Sequence, residues 1–85
     1  MDKIDYLGKV YIYSSGMSEE LIKISKEKLQ ERGVNEDDIT VIHIPEGVPQ
    51  GSIIATIWPH YLSVARVKRV REGSIYAPQL FNIQF

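Results

Sequence analysis

Residues 9–45 read KVYIYSSGMSEELIKISKEKLQERGVNEDDITVIHIP, which spells out a strand, a helix and a second strand with the punctuation in place. Val10 to Ser14 is β-branched and aromatic, a composition that suits a pleated surface. Ser15-Gly16 breaks the run, and Ser18 stands where a side-chain oxygen caps the first free N–H groups of a helix. Glu19 and Glu20 follow in its first turn, Lys26, Lys28 and Arg32 crowd its far end, and Gly33 stops it. Acid at the start, base at the end and glycine just past it match the helix dipole and a left-handed cap. Leu21, Ile22, Ile24 and Leu29 form an apolar stripe that predicts docking on a sheet, with Lys23, Glu27 and Glu31 toward solvent. Asn35 to Asp38 connects to a second strand at Ile39 to Ile44.

Working outward, Pro45-Glu46-Gly47-Val48-Pro49-Gln50-Gly51 is a loop, and Ser52 to Trp58 is a third strand. So short a connection predicts an antiparallel hairpin between the second and third strands, because a parallel crossover ordinarily needs a dozen or more residues. For residues 59–72 a helix is expected. Pro59 stands near its start and Gly73 in the stop position. Val64, Val67 and Val70, with no apolar stripe at helical spacing, support a strand as the alternative. Ile75 to Phe85 is a last strand, interrupted or held at an edge by Pro78.

These elements predict one α+β domain over residues 1–85, a small two-layer unit of ferredoxin-like β-α-β-β-α-β order. If residues 59–72 are a strand, the alternative is one helix on a mostly antiparallel sheet.

The chain has 85 residues, no cysteine and a net charge of −1, which leaves no disulfide framework, thiolate metal site or thiol nucleophile. The first residues, Met1-Asp2-Lys3-Ile4-Asp5, do not read as a signal peptide, and no apolar run approaches the length of a membrane span. A cytoplasmic location without membrane association is the expectation. Charge is unevenly placed: residues 1–50 carry ten acids and six bases, and residues 51–85 carry four bases and one acid. Those four bases, Arg66, Lys68, Arg69 and Arg71, fall within six positions and form a candidate grip on phosphate, with Tyr61 or Tyr76 for stacking.

The predicted strands are apolar on both faces. Val10 and Ile12 oppose Tyr11 and Tyr13, Ile39 and Val41 oppose Ile42 and Ile44, and Ile53, Ala55 and Ile57 oppose Ile54 and Trp58. A sheet with one wet face would alternate apolar and polar residues. The second face therefore needs a cover, and a second copy of the chain is expected there, with Tyr11, Tyr13 and Trp58 at the interface. Terminal segments carrying Phe81 and Phe85, folded over the sheet, are the alternative.

His43 and His60 are the only histidines. His43 reads as a satisfied strand residue and His60 as a surface residue, and neither has the spaced partners of a metal site. Ser14 to Ser18 reads as a capping loop, without the glycine spacing of a phosphate loop. No catalytic residue, metal or cofactor is assigned. The expected function is a small non-catalytic, homo-oligomeric binding module, associated with nucleic acid through Arg66, Lys68, Arg69 and Arg71. A structural or regulatory oligomerisation domain without nucleic acid is one alternative; a small enzyme or ligand-binding protein with its site between protomers is another.

Two local resemblances accompany this reading. Residues 13–45, with Leu21, Leu29, Gly33-Val34, Ile39, Val41, Ile44 and Pro45 at comparable spacing, resemble the opening β-α-β of lumazine synthases. Where that family carries Gly-Ala-Phe-Glu-Ile-Pro, this chain has Glu46-Gly47-Val48-Pro49, and no activity is carried over. Val10-Tyr11-Ile12, followed by a polar turn and Ser18-Glu19-Glu20-Leu21, is similar to the first strand and helix of an RNA-recognition motif. That resemblance implies a Tyr11 on an open sheet face where bases stack, although Ile53 to Ile57 has no matching aromatic residues.

Overall fold

Ser18 and Gly33 bound the helix as their chemistry requires. In the computed structural model, which describes residues 3–14, 16–44, 46–72 and 74–85, helix α1 spans Glu19–Glu31. Ser18 Oγ accepts a hydrogen bond from the Leu21 N–H. At the other end the Gly33 N–H donates to the Gln30 carbonyl and the Val34 N–H to the Leu29 carbonyl, the paired bonds of a Schellman cap. Leu29 and Val34 are both buried in one core cluster, so the cap is also a hydrophobic clasp. Ser15, Pro45 and Gly73, read from the sequence as a break, part of a loop and a helix stop, lie outside the described residues.

The remaining elements are strands β1 (Val10–Tyr13), β2 (Ile39–Ile42), β3 (Ile53–Ile57), β4 (Tyr61–Arg66), β5 (Arg69–Arg71), β6 (Ser74–Tyr76) and β7 (Gln79–Gln84), with a 3-10 turn at Glu36–Asp38. They make a five-stranded sheet of order β2-β1-β3-β4-β7 and a separate β5-β6 hairpin. β1 pairs in parallel with both β2 and β3, while β3-β4, β4-β7 and β5-β6 are antiparallel. The chain is thus a compact α+β domain with one helix on a mixed sheet. Its Cα radius of gyration, 11.7 Å, is close to the about 12 Å expected of a compact chain this long.

The ferredoxin-like order is not observed. Residues 59–72 form a hairpin turn, β4 and β5 instead of a helix, which is the alternative the sequence allowed. Pro59 and His60 occupy the turn, closed by the Trp58 N–H donating to the Tyr61 carbonyl. Leu62 and Val64 face the helix, while Ala65 and Val67 face the opposite side and are also buried. Burial on both faces erases the period-two signal that would have identified the strand.

β2 and β3 do not form a hairpin either. They flank β1 and run parallel to each other. The return from β2 to β3 spans about 15 Å along the strands and about 10 Å across them. Ten connecting residues, 43–52, reach up to about 33 Å when extended. The crossover therefore needs no helix. The rule of a dozen residues describes helical connections, and this shorter crossover uses turns at residues 46–47 and 50–51 in place of a helix.

The helix-facing side of the sheet buries Val10, Ile12, Ile53, Ala55, Ile57, Leu62, Val64 and Ile83 beneath Leu29 and the N-terminal Ile4. Ser25, fully buried within the helix, satisfies its hydroxyl on the Leu21 carbonyl. Tyr6 fastens the N-terminal segment to the 3-10 turn: its hydroxyl donates to Asp38 Oδ2 and accepts from the Asn35 N–H.

The outer side carries a second cluster, in which Val48, Ile54, Ala65 and Val67 are buried and Tyr11, Tyr13, Ile42, Ile75 and Ala77 pack around them. Both faces of the sheet are apolar, as the sequence implied. The cover observed comes from the same chain: Val48 of the crossover together with Ile75 and Ala77 of the hairpin segment. Backbone bonds lock it down, with the Gly51 N–H donating to the Val67 carbonyl and the Val67 N–H to the Ser52 carbonyl.

Candidate nucleic-acid interface

The β5-β6 hairpin brings together the charges that the sequence clustered. Arg69 lies opposite Tyr76 and Arg71 opposite Ser74. Directly opposed residues share a face, so two guanidinium groups, a phenol ring and a hydroxyl project from the same side of the hairpin. The intervening pair, Val70 and Ile75, takes the other side. Ile75 reaches the outer-sheet cluster and anchors the ribbon there.

Glu72 adopts a φ of 48°, the left-handed backbone that the first position of a tight two-residue hairpin turn demands. The exposed face borders a shallow cleft of about 170 Å³ lined by Arg69, Arg71, Ser74, Ile75 and Tyr76. Tyr76 is 55% exposed, and both arginines are exposed. Among the described residues neither arginine makes an ion pair. An exposed planar donor fork that no carboxylate holds keeps its full capacity for bidentate contact with phosphate.

The other two basic residues are placed differently. Arg66, half-buried on β4, donates from Nη2 to the Asp5 carbonyl at 2.7 Å and from Nη1 to the Gly51 carbonyl at 3.3 Å. Its guanidinium is a structural tie between the N-terminal segment and the crossover. Lys68 leads into β5, its N–H donating to the Tyr76 carbonyl, and it lines a larger groove of about 430 Å³ with Val67, Pro78 and Leu80. Lys68 therefore flanks the arginine face without belonging to it.

Tyr11, Tyr13 and Trp58, expected at an oligomer interface, lie on neighbouring strands, with Tyr11 beside Ile54 and Tyr13 beside Thr56. Tyr11 and Tyr13 are half-buried in the outer cluster, so Tyr11 does not present the open platform that the RNA-recognition resemblance implied. Trp58 directly follows β3, two residues beyond the Thr56 that pairs with Tyr13, and is 45% exposed and stacked on Tyr61 with ring centroids 6.1 Å apart. That placement takes Tyr61 away from the arginines and leaves Tyr76 as the aromatic beside them. His43 Nδ1 is 3.0 Å from the Ser14 carbonyl, and His60 occupies the β3-β4 turn. Among the described residues no group of three His, Cys, Asp or Glu side chains is arranged to hold a metal, and no helix is long and apolar enough to cross a membrane.

The pairing of Arg69 and Arg71 with Ser74 and Tyr76 was open to sequence reasoning. Two short runs, Arg69-Val70-Arg71 and Ser74-Ile75-Tyr76, flank the two residues Glu72-Gly73, a spacing that marks a tight hairpin. The helix assigned to residues 59–72 hid it. No protein-family model, curated protein or solved structure matches the chain. By its described residues the chain is a single-helix α+β domain with a basic, aromatic β-ribbon on the outer face of its sheet.

Proposed function

We propose that the chain is a small nucleic-acid-binding module whose contact element is the β5-β6 hairpin. The observation that supports this reading most is the shared face of Arg69, Arg71 and Tyr76. Two exposed guanidinium groups supply phosphate contacts, and Tyr76 supplies a stacking surface for an adjacent base. Lys68 adds a third positive charge at the flank. The chemistry favours a single strand, whose unpaired bases are free to stack and whose backbone follows a short ribbon. Arg66, engaged by two backbone carbonyls, ties the N-terminal segment to the crossover and is not assigned to the ligand.

The test is fluorescence anisotropy of a labelled single-stranded oligonucleotide at low salt. Arg69→Ala and Arg71→Ala should each weaken binding several-fold. Tyr76→Ala should cost about 1–3 kcal/mol, the usual worth of a base stacked on an aromatic ring. All three positions are exposed, so the variants should keep the wild-type melting curve. No binding by the wild type, or equal binding by Arg69→Ala and Arg71→Ala, would remove the hairpin from this role.

A further inference from the structure

β7 is an outer strand of the main sheet, and its residues 81–85 read Phe-Asn-Ile-Gln-Phe, a pseudo-palindrome about Ile83. From this we infer that two copies of the chain join edge to edge, β7 against β7 in antiparallel pairing, around a twofold axis at Ile83.

The hydrogen-bond phase of the strand supports the pairing. The Phe85 N–H donates to the His60 carbonyl of the β4 side, and the register sets Ile83 opposite Leu62 and Phe81 opposite Val64. Antiparallel ladders alternate, so the backbone groups of Phe81, Ile83 and Phe85 point toward β4 and those of Asn82 and Gln84 point outward. A partner centred on Ile83 places Asn82 opposite the partner's Gln84 and Gln84 opposite the partner's Asn82. These are the two residues with outward N–H and C=O groups, so the ladder closes on both sides of the axis.

The side chains agree with the same axis. Phe81 then lies beside the partner's Phe85 on the helix-facing side, and both rings are only half-buried within one chain. On the outer side the amides of Asn82 and the partner's Gln84 meet as donor and acceptor. Edge strands that stay single are commonly guarded by charge, proline or a bulge. Residues 81–85 contain no charged residue and no proline. The β4-β7 register shifts at Val64/Ala65, next to Leu80, which leaves residues 81–85 as the regular part of the edge. Twofold edge pairing keeps the outer faces of both sheets on the same side, so both basic hairpins face one direction.

The test is sedimentation velocity from micromolar to millimolar protein, with two charged variants. Asn82→Lys combined with Gln84→Lys sets lysine against lysine across the axis, and Asn82→Glu combined with Gln84→Glu sets glutamate against glutamate. Both positions are exposed, so folding should survive. The wild type should dimerise with rising concentration, each variant alone should stay monomeric, and an equal mixture of the two should recover the dimer. A wild type that stays monomeric throughout, or variants that dimerise alone as it does, would overturn the inference. A second readout needs no variant: amide hydrogen exchange at Asn82 and Gln84 should slow at least tenfold between dilute and concentrated wild-type protein. Unchanged rates at those two amides would equally contradict it. Neither experiment involves nucleic acid, so the outcome is independent of the hairpin's proposed role.

Discussion

At Gly33 the backbone φ is 90°, and a Cβ built there would meet the Lys3 Cγ and Cδ atoms at 3.3 Å. Gly33→Ala should therefore destabilise the fold by about 1–2 kcal/mol, most of it the left-handed conformation imposed on an L side chain. A urea melt with an unchanged slope would read that loss directly, and a neutral result would mean that the cap rearranges. Tyr6 offers a test of another kind. The Asn35 N–H lowers its pKa, while the hydrogen bond to Asp38, partial desolvation and the Asp38 charge together raise it by more, so the net shift is upward. A group whose folded pKa lies above its unfolded value, about 10 for tyrosine, stabilises fully below that value and loses its contribution as pH rises through the folded pKa. The stability difference between wild type and Tyr6→Phe should therefore shrink above about pH 10, and the Tyr6 phenol should ionise after an ordinary tyrosine. An earlier ionisation, followed by NMR, would mean that the Asp38 contact is not made in solution.

Among the elements, the legible ones are those governed by local chemistry. The cap at Ser18, the stop at Gly33 and the β-branched runs of β1, β2 and β3 sit where the sequence puts them, because each depends on neighbours a few residues away. The break at Pro78 also falls between two strands, β6 and β7. What the sequence conceals is pairing. Whether β3 joins β2 or β1 depends on where Val48 finds apolar surface, and no local spacing records that. The apolar second face is legible in the sequence, but the packing of Val48, Ile75 and Ala77 over it is not, because it depends on where the crossover and the segment after β4 fold back. Likewise the four basic residues stood out as a cluster, yet only the hairpin pairing separates Arg69 and Arg71 from Arg66. Val48 is the point where this topology is most open to test. It is 2% exposed in the middle of a polar loop, and Val48→Ala should cost about 2 kcal/mol through lost burial and the cavity left behind. A solvated loop residue would show almost no change, so a neutral Val48→Ala would argue against the crossover packing across the outer face.

On the scale of the whole molecule, charge and architecture divide the same way. The acid-rich half, residues 1–50, supplies the helix and strands β1 and β2, and the basic half supplies β3, β4, β7 and the ribbon. That division sets Arg69 and Arg71, which make no ion pair among the described residues, on the exposed side of the ribbon that covers the outer face of the sheet. The exposure of Arg69, Arg71 and Tyr76 together is the basis for a nucleic-acid role, and phosphate contact has a signature that stacking or hydrophobic association lacks. Each phosphate neutralised on a single strand releases counterions and adds about −0.7 to the slope of log K against log salt concentration. The decisive measurement is that slope for a single-stranded oligonucleotide, taken on wild type and on the Arg69→Ala, Arg71→Ala double variant. With Arg69, Arg71 and Lys68 in contact, the wild-type slope should be about −2 and the double variant's about −0.7. Equal slopes for the two proteins, or a wild-type slope near zero, would contradict the account.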